Sequence, residues 1–217
     1  MKKLLKITVL LMAVLMLFAA CGGNSEDETT TAPSKEILTQ PETTISNFPV
    51  TTEPVYDLNH HFVKFTMADG GTFVVETYPE YAPATCQNFV SLVTAGFYDG
   101  KTIHRVEDSL VQGGAPKTEE LDPIKGEFAS NGFAKNTLKH EKGVISMART
   151  MHPNSATSQF FICYEAIPYL DGDYAAFGKV IEGMETVETF KNAETEEQGN
   201  LSIVIDPIVI EKAEVIS

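Results

Sequence analysis

The sequence predicts a mainly β domain, an antiparallel barrel closed on itself and capped by helices. Three observations carry that expectation. Aromatic and β-branched residues alternate with polar ones in many short runs. Gly, Pro, Asn and Asp punctuate those runs, and only two stretches keep helical spacing. Short strands with frequent turns and few helices favour a closed antiparallel architecture.

The elements follow in order. Phe62 to Met67 alternates, Ala68-Asp69-Gly70-Gly71 turns the chain, and Thr72 to Thr77 returns, which predicts a hairpin with an Asp-Gly turn. Pro79 and Pro83 break the strand pattern. Ala84 to Ala95 then places Phe89, Val90, Leu92 and Val93 on one broad face before Gly96, the signature of a helix and its C-terminal stop. Strands are predicted at Thr102 to Val106, Leu110 to Gln112, Val144 to Ala148, Gln159 to Cys163 and Ala176 to Val180. A short helix from Met184 to Phe190 and a last strand from Ile203 to Lys212 complete the chain. Between Ala115 and Lys142 lies a long polar stretch of the kind that often forms binding loops. Glu194, Glu196 and Glu197 read as a solvated turn.

The N-terminus divides into two further parts. Residues 1–21 read as an export signal: Lys2, Lys3 and Lys6 form a basic start, and Ile7 to Ala20 is apolar apart from Thr8. That run of about 14 residues is shorter than the roughly 20 of a spanning helix. Leu17-Phe18-Ala19-Ala20-Cys21 resembles a bacterial lipobox, with Phe18 where leucine is more usual. The resemblance implies a diacylglyceryl thioether on Cys21, whose two chains anchor a protein durably where one does so only marginally. Residues 22–57, rich in Thr, Glu, Ser and Pro, lack apolar periodicity and are expected to be a disordered linker. As a flexible coil its ~36 residues would span roughly 33 Å. Residues 58–217 form one domain of ordinary size.

The formal charge of the whole chain is −14, and loss of the three leader lysines takes it to −17. So acidic a surface repels nucleic-acid phosphates, which excludes nucleic acid as a partner. Cys86 and Cys163 could pair in an oxidising compartment, but each lies in an apolar-periodic segment, where a small buried thiol is the commoner outcome. No zinc spacing, phosphate-cradling loop or nucleophile–base set is present, so neither metal nor cofactor is predicted. One arginine, two glutamines and several large apolar side chains could instead line a groove with a charged tip and an apolar floor. Such a groove suits a proline-containing peptide.

Seven blocks resemble the cyclophilin family of peptidyl-prolyl cis-trans isomerases: Asn88-Phe89, Ile103-His104-Arg105-Val106, Gln112-Gly113-Gly114, Gly143 to Ala148, Ser158 to Ile162, Leu170-Asp171-Gly172 and Phe177 to Val180. They occur in family order and cover essentially all of Phe62 to Ile210. The resemblance implies an eight-stranded antiparallel barrel closed by two helices, acting as a monomer on proline peptides and unfolded exported proteins. Arg105 matches the family's catalytic arginine, and Gln112 the glutamine that orients it. Leu110 and Phe161 match proline-pocket positions, with Met147 on the strand beneath. Ala148 and Arg149 match the edge that pairs with the peptide backbone. Gln159 matches the groove wall; Tyr169, Leu170 and Tyr174 match the pocket rim. His104, alternating with Arg105, is expected to face away from the groove as a packed histidine.

The chemistry implied is small. Resonance gives the peptide C–N bond a barrier of ~18–20 kcal/mol, and uncatalysed X–Pro exchange takes ~10–100 s. A donor to the prolyl nitrogen weakens that resonance, and a cation near the carbonyl oxygen stabilises its charge as it rotates. Arginine supplies both from one rigid, permanently charged fork.

Three departures from the family pattern stand out. The chain has no tryptophan, so Tyr169 replaces the indole that donates to cyclosporin-type ligands, and weak binding of such ligands is expected. Tyr174 stands for a histidine but keeps a donor. Arg105 to Gln112 spans one residue fewer than usual, and Ser109 occupies the place of an aromatic pocket residue. An aromatic buries ~150–250 Å²; partial contact at ~25 cal/mol per Å² makes its loss worth on the order of 1–3 kcal/mol of binding. This shallower pocket keeps a second function class open, a non-catalytic module that grips proline peptides without turning them over. A solute-binding receptor is disfavoured, because two lobes need a longer chain.

Overall fold

The computed structural model describes residues 54–217. The predicted signal, Cys21 and residues 22–53 of the predicted linker lie outside the described residues. Nine strands and two helices follow one another as β1 (Phe62–Met67), β2 (Thr72–Thr77), α1 (Pro83–Thr94), β3 (Thr102–Val106), β4 (Leu110–Gly113), β5 (Val144–Met147), β6 (Phe160–Cys163), β7 (Ala176–Glu182), α2 (Met184–Thr189), β8 (Thr195–Gln198) and β9 (Leu201–Ile216). All ladders are antiparallel, in the order β1-β2-β7-β5-β6-β4-β3-β9, and β9 pairs back onto β1 to close an eight-stranded barrel. Closure leaves no free edge within that ring. The ninth strand, β8, pairs only with the first part of β9 and makes a hairpin arm outside the ring.

The arm overturns the reading of Glu194, Glu196 and Glu197 as an idle turn. Glu196 and Glu197 are strand residues opposite Ile203 and Ser202. All four residues of β8 are exposed. A strand wet on both faces needs no apolar alternation, so periodicity could not reveal it. Beyond the arm, β9 changes partners. Ile203 and Ile208 sit opposite Arg105 and Ile103, so the longer stretch on β9 bulges around Asp206-Pro207. Proline has no N–H to give a ladder and is tolerated at such an irregularity.

Inward-facing aromatic rings fill the barrel. Phe65 stacks on Phe73 at 4.7 Å, and Phe89 of α1 reaches Phe177 at 5.0 Å. Gly178 of β7 lets strands approach: a Cβ there would lie 2.3 Å from the Glu76 carbonyl oxygen. Cys86 and Cys163 are buried and unpaired, and the Cys86 thiol lies 3.3 Å from the Phe177 oxygen. Burial pushes the Cys163 thiol up to about 12, so it is inert near neutral pH.

Part of the polar stretch 115–142 is fastened to the barrel. Glu127, 4% exposed, caps α1: its carboxylate accepts from the N–H groups of Ala84 and Thr85 at 3.0 and 2.8 Å and from Thr85 Oγ1 at 2.7 Å. A carboxylate is well placed against the positive end of a helix. Asn136 fastens the same stretch through its amide N–H groups to the Glu127 and Ala176 oxygens.

Candidate active site

Five residues make one row across the sheet. Ile203 on β9, Arg105 on β3, Gln112 on β4, Phe161 on β6 and Ser146 on β5 are successive register partners. Directly opposed residues present their side chains on one face. Val111 and Ile162 belong to the interior, so their neighbours Gln112 and Phe161 point outward. β6 is therefore apolar on both faces, and Leu110 of β4 joins Phe161 on the outer side to floor a cleft.

That cleft has a volume of about 540 Å³. Arg105, Gln112, Leu110, Ala148, Arg149, Gln159, Phe161, Tyr169, Leu170 and Tyr174 all border it. Its floor is a small apolar cluster separate from the core, built from Leu110, Phe161, Cys163 and Ile167 with Ala148, Leu170 and Tyr174 against it. Tyr174 meets Phe161 edge-on at 5.7 Å. Behind Phe161, His140 stacks at 5.8 Å with nearly parallel planes. His140 Nδ1 lies 3.0 Å from Asp171 Oδ1, and Nε2 lies 3.1 Å from Ser146 Oγ. A carboxylate accepts only, so Nδ1–H donates to Asp171 and Nε2 accepts from the serine hydroxyl. Burial holds the His140 pKa below its ordinary value, which keeps that bracing ring neutral at pH 7.

Hydrogen bonds aim the polar tip. Arg105 Nη1 donates to Gln112 Oε1 at 3.0 Å, and Gln112 Nε2 donates to Gln159 Oε1 at 2.9 Å. Arg149 folds over the rim. Its Nε and Nη2 donate to the Asp173 oxygen at 3.0 and 2.9 Å, and its guanidinium carbon lies 4.4 Å from the Tyr174 ring centroid. It is thus a fixed part of the wall.

Two expectations need correction. Met147 does not touch the cleft. It pairs with Phe160 and is 1% exposed in the barrel core, because Ser146 takes the outward position before it. His104 does not face away from the groove. Ile103 and Val106 both point inward, and two β3 residues oppose one on β4, so this bulge turns His104 and Arg105 outward together. Its buried Nδ1 has no hydrogen-bond partner, and burial lowers its pKa. Ser109, at the place of an aromatic pocket residue, does not border the cleft. It sits in the turn, where its carbonyl accepts from the Tyr164 N–H at 2.8 Å, and Leu110 supplies the floor.

Sequence reasoning missed Glu107, whose Oε1 accepts from Arg105 Nε at 2.9 Å. The i, i+2 spacing of the two residues was the available signal. It also missed Leu201 and Ile203 of the arm, which extend the cleft wall beyond Arg105. Among the described residues, no group of three or more His, Cys, Asp or Glu could hold a metal ion.

Residues 62–215 match the family model described as cyclophilin type peptidyl-prolyl cis-trans isomerase/CLD. Peptidyl-prolyl cis-trans isomerase cyp18 of Streptomyces antibioticus is 35% identical over 161 residues, covering 67% of this chain and 93% of the relative. Peptidyl-prolyl cis-trans isomerase B of Bacillus subtilis is 41% identical over 135 residues, covering 60% of this chain and 90% of the relative. A cyclophilin-type isomerase of Cryptosporidium parvum superposes with a TM-score of 0.62 at 28% identity, covering 73% of this chain and 99% of that structure. The same Cryptosporidium protein has been solved in the presence of the dipeptide ala-pro. With the closed barrel, the arginine–glutamine pair and the apolar floor in place, the chain belongs to the cyclophilin-type peptidyl-prolyl cis-trans isomerases.

Proposed function

We propose that this isomerase acts on X–Pro bonds of unfolded exported proteins at the outer face of the membrane, held there by lipid on Cys21, with Arg105 as its catalytic residue. The observation that carries the site assignment is the hydrogen-bonded chain Arg105–Gln112–Gln159 set above the Leu110–Phe161–Tyr174 floor. In this reading the floor takes the proline ring, which excludes water from one side of the bond. Gln112 and Glu107 engage two N–H groups of the guanidinium, so three of its five donors remain for substrate. One donates to the prolyl nitrogen as it becomes pyramidal, and the positive charge steadies the rotating carbonyl oxygen. Both contacts strengthen on the way to the twisted state, which is what lowers a barrier. The Ala148 N–H is already bonded to the Gln159 oxygen at 2.9 Å, so the peptide backbone meets this edge through the remaining groups of Ala148 and Arg149.

The location rests on the basic start, the short apolar run and the small residues before Cys21. No helix among the described residues is long and apolar enough to cross a membrane. Titration of the ¹⁵N-labelled protein with an Ala-Pro peptide tests the site. The side-chain N–H signals of Arg105, Gln112 and Gln159 should move together and saturably. Shifts confined to the neighbouring polar cleft bordered by Lys191 and Thr195 would place peptide binding elsewhere.

A further inference from the structure

The Arg105 guanidinium is gripped from two sides. Gln112 takes Nη1 from β4, and Glu107, where the chain leaves β3, takes Nε. Glu107 is in turn held by the hairpin arm: its Oε1 accepts from the Ser202 N–H at 3.1 Å, and its Oε2 lies 3.3 Å from Ser202 Oγ. That hydroxyl also lies 3.1 Å from Glu197 Oε1, so its single proton serves one carboxylate at a time while the backbone N–H remains on Glu107. The tight turn fixes the other end of the residue, since the Glu107 N–H donates to the Leu110 oxygen at 2.8 Å.

We propose that Glu107, clamped by Ser202 of the β8–β9 arm, is a positioning residue that sets the plane of the Arg105 guanidinium and so couples the arm to the isomerase site. The inference rests on the assignment of Arg105 as the catalytic residue. The arginine side chain is 25% exposed, and that of Glu107 is 23% exposed. At such a half-open site an unguided guanidinium samples several rotamers, and ordering a long side chain carries an entropic penalty. A fork fixed at Nε and Nη1 keeps Nη2 and the second Nη1 hydrogen directed at one place. The alternative physical role for Glu107 is competition, in which a carboxylate draws the cation away from substrate. The two roles predict opposite signs for its removal.

The test compares the wild type with Glu107→Ala and Glu107→Gln, using an Ala-Pro peptide and the complete protein. Loss of the carboxylate should lower kcat roughly tenfold, equivalent to about 1.4 kcal/mol, with KM changed less than about twofold. The glutamine variant should recover most of that loss, because its amide oxygen can still accept from Nε. An NMR readout independent of turnover accompanies the kinetics. The Arg105 Nε–H signal should be slow to exchange in the wild type and Glu107→Gln, and fast in Glu107→Ala. Unchanged or increased kcat in Glu107→Ala, a glutamine variant as impaired as the alanine, or a rapidly exchanging wild-type Nε–H would overturn the proposal. A slow Nε–H in a protein without isomerase activity would instead sink the catalytic reading while leaving the clamp itself intact.

Discussion

Arg105→Ala should lower kcat/KM for an Ala-Pro peptide by about a hundredfold or more while the protein stays folded. Removing one preorganised donor from a site where charge develops typically costs ~10²–10³ in rate, and in the proposed mechanism the same side chain serves both nitrogen and oxygen. The fold should tolerate the change. Arg105 points away from the core, its own ladder bonds are made by backbone, and the Gln112–Gln159 pair survives without it. Glu107 loses its cation but keeps the Ser202 N–H, so no carboxylate is stranded without a donor. Arg105→Lys should restore little, because an ammonium lacks the planar fork that reaches Gln112, Glu107 and substrate at once. Circular dichroism and a melting curve separate loss of chemistry from loss of fold. An alanine variant with parental activity would remove Arg105 from the mechanism.

Cys21→Ser should release the protein from the membrane altogether. Thioether lipidation needs the thiol, and serine, though similar in size, offers none. The acidic chain repels anionic headgroups, and among the described residues α2, at six residues, is too short to act as an amphipathic anchor. Fractionation of cells expressing each form decides the matter. The expected result is wild type in the membrane fraction and the serine form, once its signal is removed, in solution. A freely soluble wild type, or a signal-cleaved serine variant still in the membrane, would contradict the lipid anchor.

The barrel was legible in the sequence wherever burial imposes a pattern. The hairpin Phe62 to Thr77 and strand Thr102 to Val106 have the bounds their alternation predicts, because each has one face in the core. Three things were hidden, each for its own reason. β8 left no apolar trace because neither face is covered. The bulge at His104 breaks the strict alternation from which its orientation was inferred. Met147 sits one position from Ser146 in a strand buried on both faces, where composition does not say which side is the groove. Arg105, Gln112 and Phe161, which the family resemblance had singled out, lie in register across β3, β4 and β6. The polar supports of the cleft were less legible. Glu107 and Ser202 lie far apart in sequence and meet only because β9 folds back along β3.

The most direct test of catalysis at Arg105 is cis–trans exchange of an Ala-Pro peptide followed by NMR with catalytic amounts of the purified protein. Uncatalysed exchange takes ~10–100 s. The exchange time should fall to between milliseconds and about a second at micromolar protein, an effect abolished by Arg105→Ala but not by Cys21→Ser. A peptide that saturates the cleft and shifts the Arg105 signals, yet exchanges no faster than in buffer, would show a module that grips proline without turning it over and would contradict the catalytic assignment.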